Sequence, residues 1–339
     1  MMERYSRQIL FEGISEAGQR RLRASRALVL GCGALGSAQV ETLARAGVGR
    51  LRIVDRDFVE ESNLQRQTMF TERDARERVP KAVAAARRVA EINSDVECEG
   101  LVADVNHSNV ERLIEGCDVV LDGTDNFATR FLLNEACVKH GVNWVYGAAV
   151  GSYGVTLTIR PHASPCLRCV FPEPPAAASA PTCETAGVIM PIIAVVAAVQ
   201  TSEALKLLAG KTEELHNSLM QFDVWRNQWR RIALKERAPD CPACVLGRFD
   251  ALEAESGEMA IVLCGRDAVQ VTPGRAARVD LEALAERLKA AGEVKVNEYL
   301  LRLRAGPYEL TVFEDARAII RGTDDAVLAR SLYARYVGT

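Results

Sequence analysis

An apolar run, Ala27-Leu28-Val29-Leu30, leads straight into Gly31-x-Gly33-x-x-Gly36, and residues 34–46 then read as a helix ending near Gly47. A strand that turns through glycines into a helix leaves few choices. The turn is tight, the backbone can approach a phosphate, and the helix N-terminus offers free N–H groups. A second strand over 51–54 closes at Asp55, and a helix runs from about 81 to 92 behind Pro80, where a missing N–H costs nothing. Strands at 119–121 and 144–146 enclose a helix over 127–140. This alternation predicts an α/β, Rossmann-like fold with a mostly parallel sheet covered on both faces.

After Gly154 the texture changes. Residues 155–159 alternate like a half-exposed strand, and 222–224 with 229–234 read as a hairpin, so the sheet is expected to continue into an antiparallel part. Residues 172–181, rich in proline and alanine, are expected to form a mobile loop. The longest apolar run, 186–199, is interrupted by Pro191 and falls short of the roughly 20 residues of a membrane span, so it reads as a buried helix. Past Cys244 a small α+β module is expected, with helices over 281–291 and 325–336 and strands over 298–303, 308–313 and 318–321. It shows no catalytic constellation, and Cys264 in it reads as core packing. The expected domains are therefore 1–248 and 249–339, the second of unknown role.

With 42 basic against 45 acidic residues the formal charge is −3, so no net field draws nucleic acid or an anionic membrane. Trp225 and Trp229 are interleaved with Arg226, Arg230 and Arg231. Stacking on nucleic acid is one reading, but a solvated hairpin face suits a net negative chain better. The opening residues, MMERYSRQ, are charged and carry no apolar export signal, so a cytoplasmic location is expected.

Ten cysteines in such a chain favour metal or redox chemistry over a disulfide scaffold. Cys166/Cys169 and Cys241/Cys244 form two C-x-x-C pairs, the spacing that lets both sulfurs of a pair reach one tetrahedral Zn²⁺. Four thiolates close such a site, making the zinc a structural staple. A redox pair is disfavoured because neither pair is expected to open a helix after a strand; four packing cysteines are the remaining alternative. Cys183 differs, because it follows the Pro/Ala-rich loop and precedes a helix N-terminus near residues 187–191 that would lower a thiol pKa. It reads as a reactive thiol, against the plainer reading of an inert loop cysteine. Cys32, Cys98, Cys117 and Cys137 read as packing.

Gly31, Gly33 and Gly36 alone would also suit a dinucleotide dehydrogenase, with Asp55 placed to accept from ribose hydroxyls. Asp57, Asn63, Arg66, Gln67 and Lys81 then follow within one crossover, and Asp125-Asn126 come at the carboxyl end of a later strand. Hydride transfer has no use for so many cationic and metal-binding groups. An ATP site does: Arg66 and Lys81 can neutralise phosphate charge that develops in a transition state, and Asp125 can hold Mg²⁺.

Seven strings carry a family resemblance: Arg4-Tyr5-Ser6-Arg7-Gln8, Gly31-Cys32-Gly33-Ala34-Leu35-Gly36, Asp55-Arg56-Asp57, Ser62-Asn63-Leu64-Gln65-Arg66-Gln67, Pro80-Lys81, Thr124-Asp125-Asn126 and Thr182-Cys183-Glu184-Thr185-Ala186-Gly187-Val188. In unbroken order over roughly residues 3–246, the chain resembles ThiF/MoeB-type adenylyltransferases, bacterial relatives of ubiquitin-activating enzymes. Its final module is similar to the tail of the longer ThiF proteins. The resemblance implies that a ubiquitin-like sulfur-carrier protein presents its C-terminal Gly-Gly carboxylate to the α-phosphate of ATP, giving an acyl adenylate and pyrophosphate. It further implies that Arg66 and Lys81 stabilise phosphates, Asp125 binds Mg²⁺ and Asp55 binds ribose. Asp57, Asn63, Gln67 and Asn126 would line the same nucleotide site. Arg7 would reach the nucleotide of the other subunit of a homodimer, and Cys183 would bond covalently to the activated carrier.

Such chemistry is alignment plus charge stabilisation and needs no Ser/His/Asp arrangement. His107, His140, His162 and His216 accordingly form no motif and read as surface or structural. The expected function is ATP-dependent adenylation of a sulfur carrier. ThiS is favoured by the tail, MoaD is the alternative, and a sulfur donor protein is a further partner. Rivals from other classes are an NAD-dependent oxidoreductase and a non-catalytic scaffold for a ubiquitin-like partner, against which Arg66, Lys81 and Asp125 argue.

Overall fold

The computed structural model describes residues 3–174, 183–234, 236–253, 259–263, 267–274 and 277–338, with backbone alone at 183, 184, 259 and 261–263. Residues 175–182 of the Pro/Ala-rich segment, the Cys183 side chain and Cys264 lie outside the described residues, as do the expectations attached to them. The chain divides into two compact units, Met1–Ala254 and Glu255–Thr339.

The first unit opens with α1 (Ser6–Ile9) and α2 (Ser15–Ala24). It then alternates through β1 (Arg26–Leu30), α3 (Ala34–Ala46), β2 (Arg50–Asp55), α4 (Glu72–Glu77), α5 (Lys81–Ile92), β3 (Glu97–Val102), α6 (Val110–Ile114), β4 (Val119–Asp122), α7 (Phe127–His140) and β5 (Asn143–Val150). It closes with β6 (Tyr153–Ile159), α8 (Leu167–Val170), α9 (Cys183–Ala186), α10 (Met190–Ala209), β7 (Ser218–Asp223) and β8 (Gln228–Ala233). Among the described residues these strands form one sheet of order β3-β2-β1-β4-β5-β6-β7-β8. Pairing is parallel from β3 to β5 and antiparallel from β5 to β8.

Crossovers carry the chain from β1 outward to β3, then back to the other side of β1 as β4. Loops at the carboxyl ends of β1 and β4 therefore diverge around a crevice, the usual ligand position in a doubly wound sheet. Both faces are covered. Alternate residues of β1 point Ala27 and Val29 into a core with Leu22, Val40, Leu43, Ile53 and Val89, and Leu28 and Leu30 into another with Leu113, Val120, Leu133 and Trp144. At about 1.5–3 kcal/mol per fully buried aliphatic side chain, this two-sided burial is what holds the parallel strands.

Two expectations needed correction. Strand β6 is not half-exposed, since Gly154 through Ile159 are all buried. Its threonines imitate a solvent face but bond inward, Thr156 Oγ1 to the Tyr146 carbonyl (2.7 Å) and Thr158 Oγ1 to Glu203 Oε2 (3.0 Å). Nor does Pro191 interrupt the apolar run: it sits in the first turn of α10, which extends for 20 residues. By length and composition alone α10 is long and apolar enough to cross a membrane. It carries fully buried Gln200 and nearly buried Glu203 that hydrogen-bond into the sheet, the behaviour of a core helix. Strand β3 had no strong sequence signal because it is a sheet edge, with Glu97 and Glu99 exposed.

The second unit comprises β9 (Met259–Leu263), β10 (Ala268–Thr272), α11 (Leu281–Leu288), β11 (Glu293–Val296), β12 (Leu300–Ala305), β13 (Tyr308–Phe313), β14 (Ala318–Arg321) and α12 (Ala326–Tyr336). The described strands make an antiparallel sheet, β11-β12-β13-β14-β10-β9. Leu301, Leu303, Leu310, Val312 and Ile320 of that sheet pack on Leu284, Leu288, Leu332 and Tyr333 of the two helices. Asp280 and Asp325 cap the helices, each accepting from backbone N–H groups of the first turn. Residues just after Cys244 stay with the first unit: Ala251 and Leu252 donate backbone N–H bonds to Glu135 Oε2 at 2.8 and 3.3 Å.

Candidate nucleotide crevice and cysteine centre

Gly31, at the end of β1, takes φ of +84°. A Cβ there would lie 2.8 Å from the Gly123 carbonyl carbon, and one on Gly36 would lie 1.8 Å from the Gly31 oxygen. The β1–α3 and β4–α7 loops thus meet backbone against backbone, which only glycine permits. Gly33, which precedes α3, has room around it: a Cβ there would find Gln67 Nε2 at 3.9 Å. This is where a phosphate can approach the helix N-terminus.

Asp55 ties this turn to the next loop. Its Oδ2 accepts from Cys32 N (2.6 Å) and its Oδ1 from Asp57 N (2.7 Å), leaving each oxygen a further lone pair. Burial pushes its carboxyl up, against the pull of the Lys81 charge. Lys81 opens α5 and is itself buried, its Nζ 3.4 Å from Asp57 Oδ2 and its N–H on the Asp57 carbonyl. Asn63 accepts from the Glu60 N–H through Oδ1 and from the Arg66 and Gln67 N–H groups through its carbonyl, shaping the turn that carries both side chains. Arg66 Nη1 donates to the Ser62 carbonyl. Gln67 Oε1 is buried without a hydrogen-bond partner among the described residues, an acceptor left open beside the glycine turn.

Across the crevice, Asp125 is exposed and makes no hydrogen bond or ion pair among the described residues. A free carboxylate near the phosphate-facing loops suits a hard cation, so the donor set fits Mg²⁺. Burial works against the charge of Arg56, yet Asp57, Asp104 and Asp125 together raise its pKa. Asn126 Oδ1 caps α7 by accepting from Thr129 N at 2.8 Å, so its expected nucleotide role would share the side chain with a structural one. The crevice brings together Gly31, Gly33, Gly36, Asp55, Asp57, Gln67 and Lys81. Arg7 is exposed on α1 with no hydrogen bond or ion pair among the described residues, and Cys183 begins α9.

The two C-x-x-C pairs converge from 75 residues apart. Their four Sγ atoms lie within 4.8 Å of one another, with Cys166 to Cys241 at 3.6 Å, Cys169 to Cys244 at 3.4 Å and Cys166 to Cys169 at 3.9 Å. Four sulfurs about 2.3 Å from a tetrahedral Zn²⁺ would stand about 3.8 Å apart, so the residues fit that ion. Without a cation four thiolates cannot coexist: burial with the Cys169 contact pushes Cys244 up to about 12, while the Cys166 thiol pulls Cys169 down to about 5. Cys166 stands at the N-cap of the single turn of α8, with residues 160–165 between it and β6. The other pair completes the cluster. Cys32, Cys117 and Cys137 are buried and Cys98 is half-buried, its thiol pushed up to about 12 by burial.

A family model described as the ThiF family matches residues 5–243. The chain belongs to the ThiF family. It is 46% identical, over 100% of both chains, to the protein named sulfur carrier protein ThiS adenylyltransferase of Bacillus subtilis. It is 40% identical to the SAMP-activating enzyme E1 of Haloferax volcanii, over 74% of this chain and 92% of that one. Among solved structures it is similar to E. coli MccB crystallised with ATP, with a TM-score of 0.63 at 21% identity, covering 71% of this chain and 74% of that one; this likeness speaks for the fold.

In this ThiF-family chain the sequence reading missed the supports under the Asp125 loop. Asp122, fully buried at the end of β4, accepts from Thr124 N (2.8 Å) and Oγ1 (2.7 Å) and from Arg130 Nε (3.2 Å). Burial pushes the Asp122 carboxyl up, against Arg130 and the Thr124 bonds. Its carbonyl accepts from Gln39 and Gln200, a buried amide pair reaching in from α3 and α10. The signal available was charge inside buried elements: an aspartate ending an all-apolar strand, and an arginine one turn into the helix that follows.

Proposed function

We propose that this chain is an ATP-dependent adenylyltransferase that activates the C-terminal Gly-Gly carboxylate of a ubiquitin-like sulfur-carrier protein, with a ThiS-type carrier as its substrate. The observation that carries the reading is similarity across both chains' full length to a protein named for ThiS adenylylation. A carboxylate oxygen of the carrier attacks the α-phosphorus of ATP, the bond to the bridging oxygen of the β-phosphate breaks, and pyrophosphate leaves with that electron pair. The acyl adenylate that results needs no covalent bond to the enzyme.

The glycine turn and the α3 N-terminus receive the phosphates, Asp55 accepts from the ribose, and Gln67 supplies a buried polar edge. Arg66 and Lys81 offset the charge that builds on the phosphates as the bond breaks; such preorganised donors contribute several kcal/mol in a water-poor site, about 3–4 each in comparable cases. Asp125 would hold Mg²⁺, which supplies further neutralisation of the phosphates when bound. Arg7, exposed on α1, would complete the nucleotide site of a second copy in a homodimer. The four-cysteine centre would hold structural Zn²⁺. Cys183 would attack the acyl carbonyl, releasing AMP, before a sulfur donor acts. A cytoplasmic setting, which keeps thiols reduced, suits both cysteine roles.

A MoaD-type carrier is the second reading, since the chain is also 40% identical, over 74% of its length and 92% of the other, to a protein named for activating a differently named partner, the SAMP-activating enzyme E1. Pyrophosphate exchange measured with purified ThiS, MoaD and other carriers tests both. Exchange with ThiS alone supports the first reading, exchange with MoaD alone replaces it, and no exchange with any carrier removes the adenylation reading.

A further inference from the structure

Arg130 is nine-tenths buried or more, although it carries a full charge and was not among the residues expected to act. Its guanidinium makes a closed set of contacts. Nε donates to Asp122 Oδ2 (3.2 Å), and Nη2 to the Thr124 carbonyl (2.6 Å) and the Gly147 carbonyl (3.4 Å). Its guanidinium carbon lies over the rings of Phe127 and Tyr146, 5.3 and 5.5 Å from their centroids. Burial works against the cation, but Asp122, Tyr146 and Asp125 raise its pKa, so the charge persists.

These contacts enclose one stretch of chain. Residue 124 is held at its N–H and hydroxyl by Asp122 and at its carbonyl by Arg130, and residue 126 is held by its cap on α7. Between the two fixed residues stands Asp125, exposed and unpaired among the described residues. A buried ion pair of this kind costs desolvation and is weak as a source of stability. Its geometric effect is specific: a planar fork fixes a carbonyl and a carboxylate at once, which lysine cannot do.

We propose that Arg130 is a positioning residue for the divalent cation of this site, acting through Asp122 and the Thr124 carbonyl to hold the Asp125 carboxylate at a fixed place over the crevice. The inference rests on the nucleotide reading above. It assigns Arg130 no contact with ATP or the carrier.

The test is Mn²⁺ binding to the full-length protein with ATP present, followed by electron paramagnetic resonance, beside ATP affinity without metal and thermal melting. Arg130→Ala strands a buried carboxylate and can unfold the chain. The informative variant is therefore Arg130→Met with Asp122→Asn, which keeps the aromatic packing and the acceptor for Thr124 while removing only the fork. Mn²⁺ affinity is expected to fall by about tenfold or more, the loss typical of removing a group that orients a metal ligand, with metal-free ATP affinity unchanged. Arg130→Lys, which keeps charge without the fork, is expected to share the metal defect. A folded double variant that binds Mn²⁺ as wild type does overturns the inference alone. Equal losses of ATP and Mn²⁺ affinity overturn it as well, since they mark a merely structural residue. A wild type that binds neither ATP nor Mn²⁺ overturns the nucleotide reading and the inference with it.

Discussion

Lys81 Nζ stands 3.4 Å from Asp57 Oδ2, with only 4% of the lysine exposed. A cation withdrawn from water and held beside the glycine turn needs little rearrangement to meet a phosphate, because its desolvation is met in folding.

Lys81→Ala is expected to cost at least ~2 kcal/mol of transition-state stabilisation, read as kcat/KM in carrier-dependent pyrophosphate exchange. It also leaves Asp57 without that cation, so the melting temperature should fall. Arg66→Ala should cost a similar amount in exchange but little in stability, since the side chain is half-exposed and bonds the Ser62 carbonyl of its own turn. Full turnover in either variant would move the phosphates elsewhere.

Asp125→Ala is expected to abolish exchange and leave the melting temperature unchanged. The carboxylate is exposed and makes no hydrogen bond or ion pair among the described residues, so its removal costs only its longer-range pull on Arg56 and Arg130. A variant that still exchanges pyrophosphate normally would remove the cation from this residue.

The contrast between Asp125 and Arg130 shows what the sequence made legible. Residues that meet solvent or ligand stand out as motifs: the glycine turn, Asp55, Lys81 and the C-x-x-C pairs could all be read in one dimension. Residues that hold those in place could not, because Asp122, Arg130, Gln39 and Gln200 matter through partners far along the chain, up to 161 positions away for Gln39 and Gln200. The helices α3, α5 and α7 were legible with approximate ends, two of them marked by Gly47 and Pro80, while the left-handed Gly141 that closes α7 was not singled out. Strands β3, β9, β10 and β11 were not, since short strands carry little periodic signal and β3, β9 and β11 sit at sheet edges.

The purified protein is expected to carry about one zinc per chain, as measured by elemental analysis. Chelation should lower thermal stability while leaving ATP affinity nearly unchanged, because the nucleotide cradle is built from the parallel part of the sheet. Cys241→Ser should destabilise by about 3 kcal/mol or more, in the range of structural-metal loss. Zinc-free protein of full stability would return the four cysteines to plain packing.

Cys183→Ala is expected to retain pyrophosphate exchange and lose any reducible covalent adduct with the carrier. Adenylation needs the carrier tail, MgATP and the charged cradle, whereas a thioester needs the Cys183 thiolate to attack the acyl carbonyl and expel AMP, and an acyl disulfide needs the same attack by a persulfide that the sulfur donor has left on Cys183. An adduct that persists in the variant, or is absent from wild type supplied with its carrier and sulfur donor, would leave direct attack by the donor on the adenylate.

Where the β1–α3 and β4–α7 loops touch, Gly31, Gly36 and Gly123 leave no space for a side chain. Mutation therefore has nothing to vary at those positions: every replacement collides with main chain. A descendant of this protein can acquire a new carboxylate client by altering surfaces elsewhere, but it inherits the seam between these loops unaltered or loses it altogether. The crevice is in this sense the part of the molecule least open to adaptation, and its chemistry should outlast any change of client.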